Sequence, residues 1–206
     1  MRLLELLTAR LCHELSGPVA AINNGIELLF DEEPGPGPSA APGFLRDAVA
    51  LVGDSAHRVR NRLQFYRFAY GFGGRGANTG TAPHELAGGF FAATRIACDY
   101  AEGTRKMSLD WQKLACNLLP VGADALPRGG RLSLTDNPLA IEAVGEAAAL
   151  SPEAQAALTL ITPIAELTVR TVQAYFTSLL AKALNQRLIA TAEPGRVRLT
   201  AIPAVS

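Results

Sequence analysis

The sequence predicts an α+β protein: an N-terminal helical hairpin that pairs into a dimeric four-helix bundle, followed by an α/β sandwich. Two long apolar stripes predict the hairpin, and a change of texture after about Pro83 predicts the sandwich. In the first stripe Leu4, Leu7, Leu11, Leu15, Pro18, Ile22, Ile26 and Leu29 recur at steps of three and four, a helical face of about seven turns. The stretch from Asp31 to Gly43 is too rich in Pro and Gly to continue a helix. In the second stripe Leu45, Val49, Val52, Ala56, Val59, Leu63, Tyr66 and Tyr70 alternate steps of four and three. That is the seam of a helix packed lengthwise on partners. Each stripe covers only part of the other, so a lone hairpin has too little core, and pairing two hairpins predicts a homodimer.

The second helix runs out at a Gly-rich segment, residues 71–76, which literally matches GxGxxG. It follows a helix rather than a strand and sits in no βαβ pattern, so it reads as a hinge and not as a dinucleotide site. It divides the chain into 1–76, the helical hairpin, and 77–206, the sandwich. In the second part a helix is predicted from His84 to about Cys98, a short strand around 106–109, and a helix from Gln112 to Leu126. Strands follow at Arg131 to Thr135 and Leu139 to Val144, around the turn at 136–138. Ser151 followed by Pro152 and Glu153 marks a helix start. A long helix is predicted from Ile164 to Leu184, then strands from Arg187 to Ala192 and Arg196 to Ile202 around a Pro-Gly turn.

Composition narrows the function. Lys plus Arg and Asp plus Glu both number 19, so the chain lacks the positive field that nucleic-acid binding needs. Cys12, Cys98 and Cys116 are widely spaced, without a metal-ligand pattern, and read as reduced thiols. No apolar run approaches the roughly 20 residues of a membrane span. Glu5, Arg10, His13 and Glu14 interrupt what would otherwise resemble a signal sequence, so a soluble, cytoplasmic protein without a membrane partner is expected. There is no serine-nucleophile motif and no HExxH metal pattern. His57 and His84 read as surface or cap residues, and Trp111 with Phe65, Tyr66 and Phe68 as packing.

His13 stands apart. At about 100° per residue it falls opposite the stripe of Leu11, Leu15 and Ile22, so it points to solvent. Beside it on that face lie Gly17, Ala20 and Asn24, all of small or modest size. A neutral imidazole attacks phosphorus through one ring nitrogen if the other has somewhere to place its proton, and Glu14 is suited to accept it. Periodicity alone favours an ordinary surface histidine.

The residues around it change that weighting. LCHELSGP at 11–18 resembles the phospho-acceptor box of sensor histidine kinases: His, acidic, aliphatic, two variable residues, Pro. Together with PVAAINNGIELL at 18–29, RLQFYRFAYG at 62–71 and ALPRGG at 125–130, the chain is similar over nearly its whole length to histidine phosphotransferases of the ChpT type. The resemblance implies a kinase-like dimerisation bundle and a degenerate copy of the kinase ATP-binding domain. It implies that His13 takes a phosphoryl group from the receiver-domain aspartate of a hybrid histidine kinase and passes it to the aspartate of a response regulator. Glu14 holds the acidic position beside it. Arg10, Gly17, Ala20 and Asn24 are the expected receiver-docking residues. No cofactor is expected on this chain, with magnesium supplied by the receiver.

The departures from a working kinase are specific. Where a kinase carries Asn-x-x-x-Asn, this chain has Asn117 and Val121, and a valine offers no oxygen to magnesium. The Asp-x-Gly-x-Gly box is replaced by VGEAAA at 144–149, and no glycine-rich lid precedes Ile164. ATP binding is therefore not expected. Bifunctional kinases place Thr or Asn where Gly17 stands, so weak phosphatase activity is expected too. Two other classes compete: an ATP-dependent kinase fragment, which ATP binding would favour, and a non-catalytic dimeric adaptor, which would tolerate His13→Ala.

Overall fold

In the computed structural model, which describes residues 1–30, 42–71 and 80–204, both apolar stripes form helices: α1 (Arg2–Phe30) and α2 (Pro42–Tyr70). The expected proline-rich loop falls mostly, and the expected hinge almost wholly, outside the described residues. The two helices pack as a hairpin and approach closely near the loop end. A Cβ added to Gly25 of α1 would lie 2.6 Å from Val52 Cγ2 of α2, so only glycine permits that contact.

The α2 seam divides in two. Val52 and Val59 are half-buried and Tyr66 is buried, whereas Leu45, Val49, Ala56 and Leu63 remain exposed. On α1, Val19, Ile26 and Leu28 are exposed as well. One hairpin leaves part of its own apolar surface, mostly on α2, exposed.

The second part is a five-stranded sheet with helices: α3 (Pro83–Phe91), β1 (Ile96–Tyr100), α4 (Glu102–Arg105), α5 (Leu109–Asp124), β2 (Gly130–Asp136), β3 (Leu139–Val144), α6 (Pro152–Leu158), a single 3-10 turn (Ile164–Glu166), α7 (Val172–Ala183), β4 (Gln186–Glu193) and β5 (Arg196–Pro203). Strand order is β1-β2-β3-β5-β4, with β1 parallel to β2 and the other pairs antiparallel. Gly195 makes the β4–β5 turn at φ +73°, a left-handed conformation that favours glycine. Ser151 caps α6, its hydroxyl accepting from the Ala154 N–H at 3.1 Å. The α+β expectation holds.

Three expectations are corrected. The helix from His84 ends at Phe91 rather than near Cys98, because the Thr94 hydroxyl donates to the Phe91 carbonyl (2.8 Å) and closes the turn. Ile96, Cys98 and Tyr100 then turn inward while Ala97 and Asp99 stay exposed, the period of a strand. The strand expected at 106–109 is instead the turn between α4 and α5, tied down by Gln112, whose side-chain amide donates to the carbonyls of Arg105 and Met107. The helix from Ile164 is one 3-10 turn. The chain is re-capped at Thr168 and Thr171, whose hydroxyls accept from each other's N–H groups, and α7 starts at Val172.

One core joins both parts. Leu6, Leu7, Phe65, Tyr66, Phe68 and Ala69 from the base of the hairpin pack in one cluster with Leu86, Phe90, Leu114, Leu118 and Leu132. The His13 turn of α1 sits directly above this junction.

Candidate functional site

His13 lies on the exposed face of α1, and Gly17, Ala20 and Asn24 are exposed with it. A Cβ added to Gly17 would meet nothing within 4 Å, so the surface beside the imidazole is open. Among the described residues His13 has no hydrogen-bond partner, and its ring is free to meet an incoming group.

Arg10 is not part of that ridge. It is 6% exposed, and its Nη2 donates to Asp124 Oδ1 at 2.9 Å, fastening α1 to the end of α5. Its expected role in docking is corrected: the side chain turns toward the second domain. Burial alone would lower the guanidinium's pKa, but the Asp124 charge and hydrogen bond outweigh it and hold Arg10 charged.

Glu14, one helical turn beyond Arg10, also leaves the ridge but turns across the hairpin to α2. Its carboxylate is ion-paired with Arg62 of α2, and its main-chain carbonyl accepts from Arg62 Nη1 at 3.1 Å. The Arg62 guanidinium also lies 5.5 Å from the centre of the Phe90 ring on α3. In this arrangement Glu14 serves Arg62 and not the His13 ring.

Beside Gly17 opens a cleft of about 490 Å³ of mixed lining, walled by Gly17 and Pro18 of α1, Asp54, His57, Arg58 and Arg62 of α2, and Phe90 and Thr94 of the second part. His57, read from sequence as an ordinary surface residue, borders this cleft. The signal for it is spatial, since it lies 44 positions from His13 and no motif joins them. His84 is apart, its ring centroid 6.2 Å from that of Tyr100.

The position of the kinase asparagine has a structural occupant. Asn117 is fully buried, and its amide donates to the Ala69 carbonyl (2.8 Å) and the Lys113 carbonyl (2.9 Å). Gln173 of α7 donates to Asn117 Oδ1 (3.1 Å) and accepts from the Tyr70 hydroxyl (2.6 Å). Asn117 thus joins the end of α2 to α5 and α7. Val121 is 1% exposed, and Ala148 and Leu150, which follow β3 where a kinase has its adenine box, are buried in the same core. Among the described residues no group of three or more His, Cys, Asp or Glu is placed to hold a metal ion, and no helix is long and apolar enough to cross a membrane.

Comparison with known proteins agrees with this architecture. Residues 81–195 match the family model described as histidine phosphotransferase C-terminal domain. The chain belongs to the histidine phosphotransferase family. The phosphotransferase is 33% identical over 199 residues to the protein phosphotransferase ChpT of Brucella abortus (strain 2308), covering 91% of this chain and 90% of that one. It also superposes on a solved bacterial phosphotransferase with a TM-score of 0.75 at 28% identity, over 97% of this chain and 95% of that one.

Proposed function

We propose that this phosphotransferase works in a two-component phosphorelay, taking a phosphoryl group from a receiver-domain aspartate onto His13 and passing it to the aspartate of a second receiver. The exposed, unpartnered imidazole on a ridge cleared by Gly17 is the observation that carries the reading. The ring nitrogen's lone pair forms the N–P bond while the P–O bond of the acyl phosphate breaks, its electron pair returning to the aspartate carboxylate. The other ring nitrogen keeps its proton and gives it a hydrogen bond to water or to the docked partner, because Glu14 is held by Arg62. Magnesium comes with the receiver.

The docking surface of this proposal is the ridge of Gly17, Ala20 and Asn24 with the cleft beside it, where α1, α2 and the α3–β1 turn meet. The exposed Arg58 on its wall suits it to an acidic partner face. A second copy of the chain covers the exposed part of the hairpin seam, giving the four-helix bundle. ATP is not a substrate: Val121 has no oxygen for magnesium and Asn117 is engaged in joining the domains. Gly17 brings no side chain to orient water, so hydrolysis of the partner's phosphate is slow.

The test is to mix the protein with a receiver carrying labelled phosphate and follow label onto the chain. Label is expected on the wild type and absent from His13→Ala. Incubation with labelled ATP alone should leave it unlabelled; labelling there would favour a kinase fragment. Signal flow undisturbed by His13→Ala would favour an adaptor.

A further inference from the structure

Pro18 sits inside α1, four residues after Glu14. In an α-helix the N–H at that position donates to the carbonyl four residues earlier, and proline has none to give. The Glu14 carbonyl therefore loses its helical donor and needs another partner as far as it is buried. Arg62 Nη1 supplies the missing bond at 3.1 Å. The same guanidinium holds the Glu14 carboxylate and lies against the Phe90 ring.

We propose that Arg62 is a positioning residue for phosphoryl transfer: it takes both the carbonyl that Pro18 leaves free and the carboxylate of the residue after His13, and so sets where the acceptor imidazole stands. Both bonds leave one nitrogen, Nη1, while the planar guanidinium stays over the Phe90 ring, a placement that a lysine's compact, non-planar ammonium does not reproduce. With these contacts the His13 turn is tied across the hairpin to α2 and, through Phe90, to the second domain. In-line transfer depends on where the nitrogen stands, and a displacement of about 1 Å costs on the order of a hundredfold in rate. The clamp also keeps the neighbouring carboxylate from folding over the imidazole. Glu14 thus acts through Arg62 rather than as a proton acceptor.

This assignment rests on His13 being the acceptor, and the test separates the two. Transfer from a phosphorylated receiver to the full-length protein is measured over a range of receiver concentrations for wild type, Arg62→Gln, Arg62→Lys, Glu14→Gln, Pro18→Ala and the combinations of Arg62→Gln with each of the last two. Circular dichroism and melting report the fold. Arg62→Gln is expected to lower the rate at saturating receiver by about tenfold to a hundredfold while the half-saturating concentration moves less than about threefold. Arg62→Lys should fall between. Adding Glu14→Gln to Arg62→Gln should cost nothing more, because one unit has already been broken. Pro18→Ala returns the helical N–H, so Arg62→Gln should cost less in that background than in the wild type.

An unchanged saturating rate in folded Arg62→Gln overturns the assignment. So do additive effects of Glu14→Gln and Arg62→Gln, or a loss confined to the half-saturating concentration, which would make Arg62 a docking residue only. Should Arg62→Gln fail to fold, Arg62→Lys at the full wild-type saturating rate would overturn it equally. No label on wild-type His13 strikes the acceptor reading itself; label there with indifferent Arg62 variants strikes only this inference.

Discussion

Arg10 and Asp124 stand 114 positions apart in sequence and meet at 2.9 Å, Nη2 to Oδ1, one turn before His13. The pair is lopsided: the Arg10 side chain is 8% exposed and that of Asp124 41%. Removing the arginine leaves a carboxylate that water reaches, so Arg10→Met is expected to cost about 1–3 kcal/mol by urea denaturation. Asp124→Ala strands the guanidinium inside and should cost more. The reverse order would show that the pair is mainly a solvent-facing contact.

Asn117 is expected to behave as a structural residue. Asn117→Ala removes the donor to the Ala69 carbonyl and the acceptor of Gln173, both buried, and should lower stability by about 1–3 kcal/mol. Tyr70→Phe, which loses one bond to Gln173, should cost about 0.5–1.5 kcal/mol. ATP with magnesium should move the melting temperature of neither the wild type nor Asn117→Ala. A nucleotide-dependent rise would show that a kinase-type site survives.

Val49 and Leu63 on α2 are 58% and 44% exposed, with the exposed Ala56 midway between them. That seven-residue spacing marks one face and fits a second hairpin. Val49→Glu with Leu63→Glu is expected to turn a sedimenting dimer into a monomer whose sheet domain stays folded. A wild type that sediments as a monomer at every concentration would remove the bundle from the proposal.

Burial pushes the Cys116 thiol up to about 12, and burial with the nearby Asp99 pushes Cys98 up to about 12. Both values lie above the ordinary value of 9.0, so the stability tied to these thiols is fully present below about pH 9 and is lost as pH rises toward 12. Denaturation midpoints should fall between about pH 7.5 and 10. At about pH 7.5 iodoacetamide should modify exposed Cys12 well before the other two, as read by mass spectrometry. Equal rates would show that the sheet domain opens readily.

The sequence by itself determined the hairpin, the exposure of His13, the β2–β3 and β4–β5 pairs and the α6 cap, because each is written within a few turns of chain. Apolar residues at three and four specify a buried helical face, and whatever stands opposite must meet water. The same periodicity places Arg10 and Glu14 on the polar flank of α1 and cannot say that one is buried on Asp124 and the other held by Arg62. A charged side chain off the apolar stripe has two outcomes, water or a distant partner, and the partner lies far along the chain. Strand β1 went unread for the same reason: its five residues are a strand because β2, some 34 positions on, pairs with them in parallel. The cleft beside Gly17 belongs to neither part of the chain alone. Only tertiary structure, by bringing α1, α2 and the α3–β1 turn together, decided its shape and its charge.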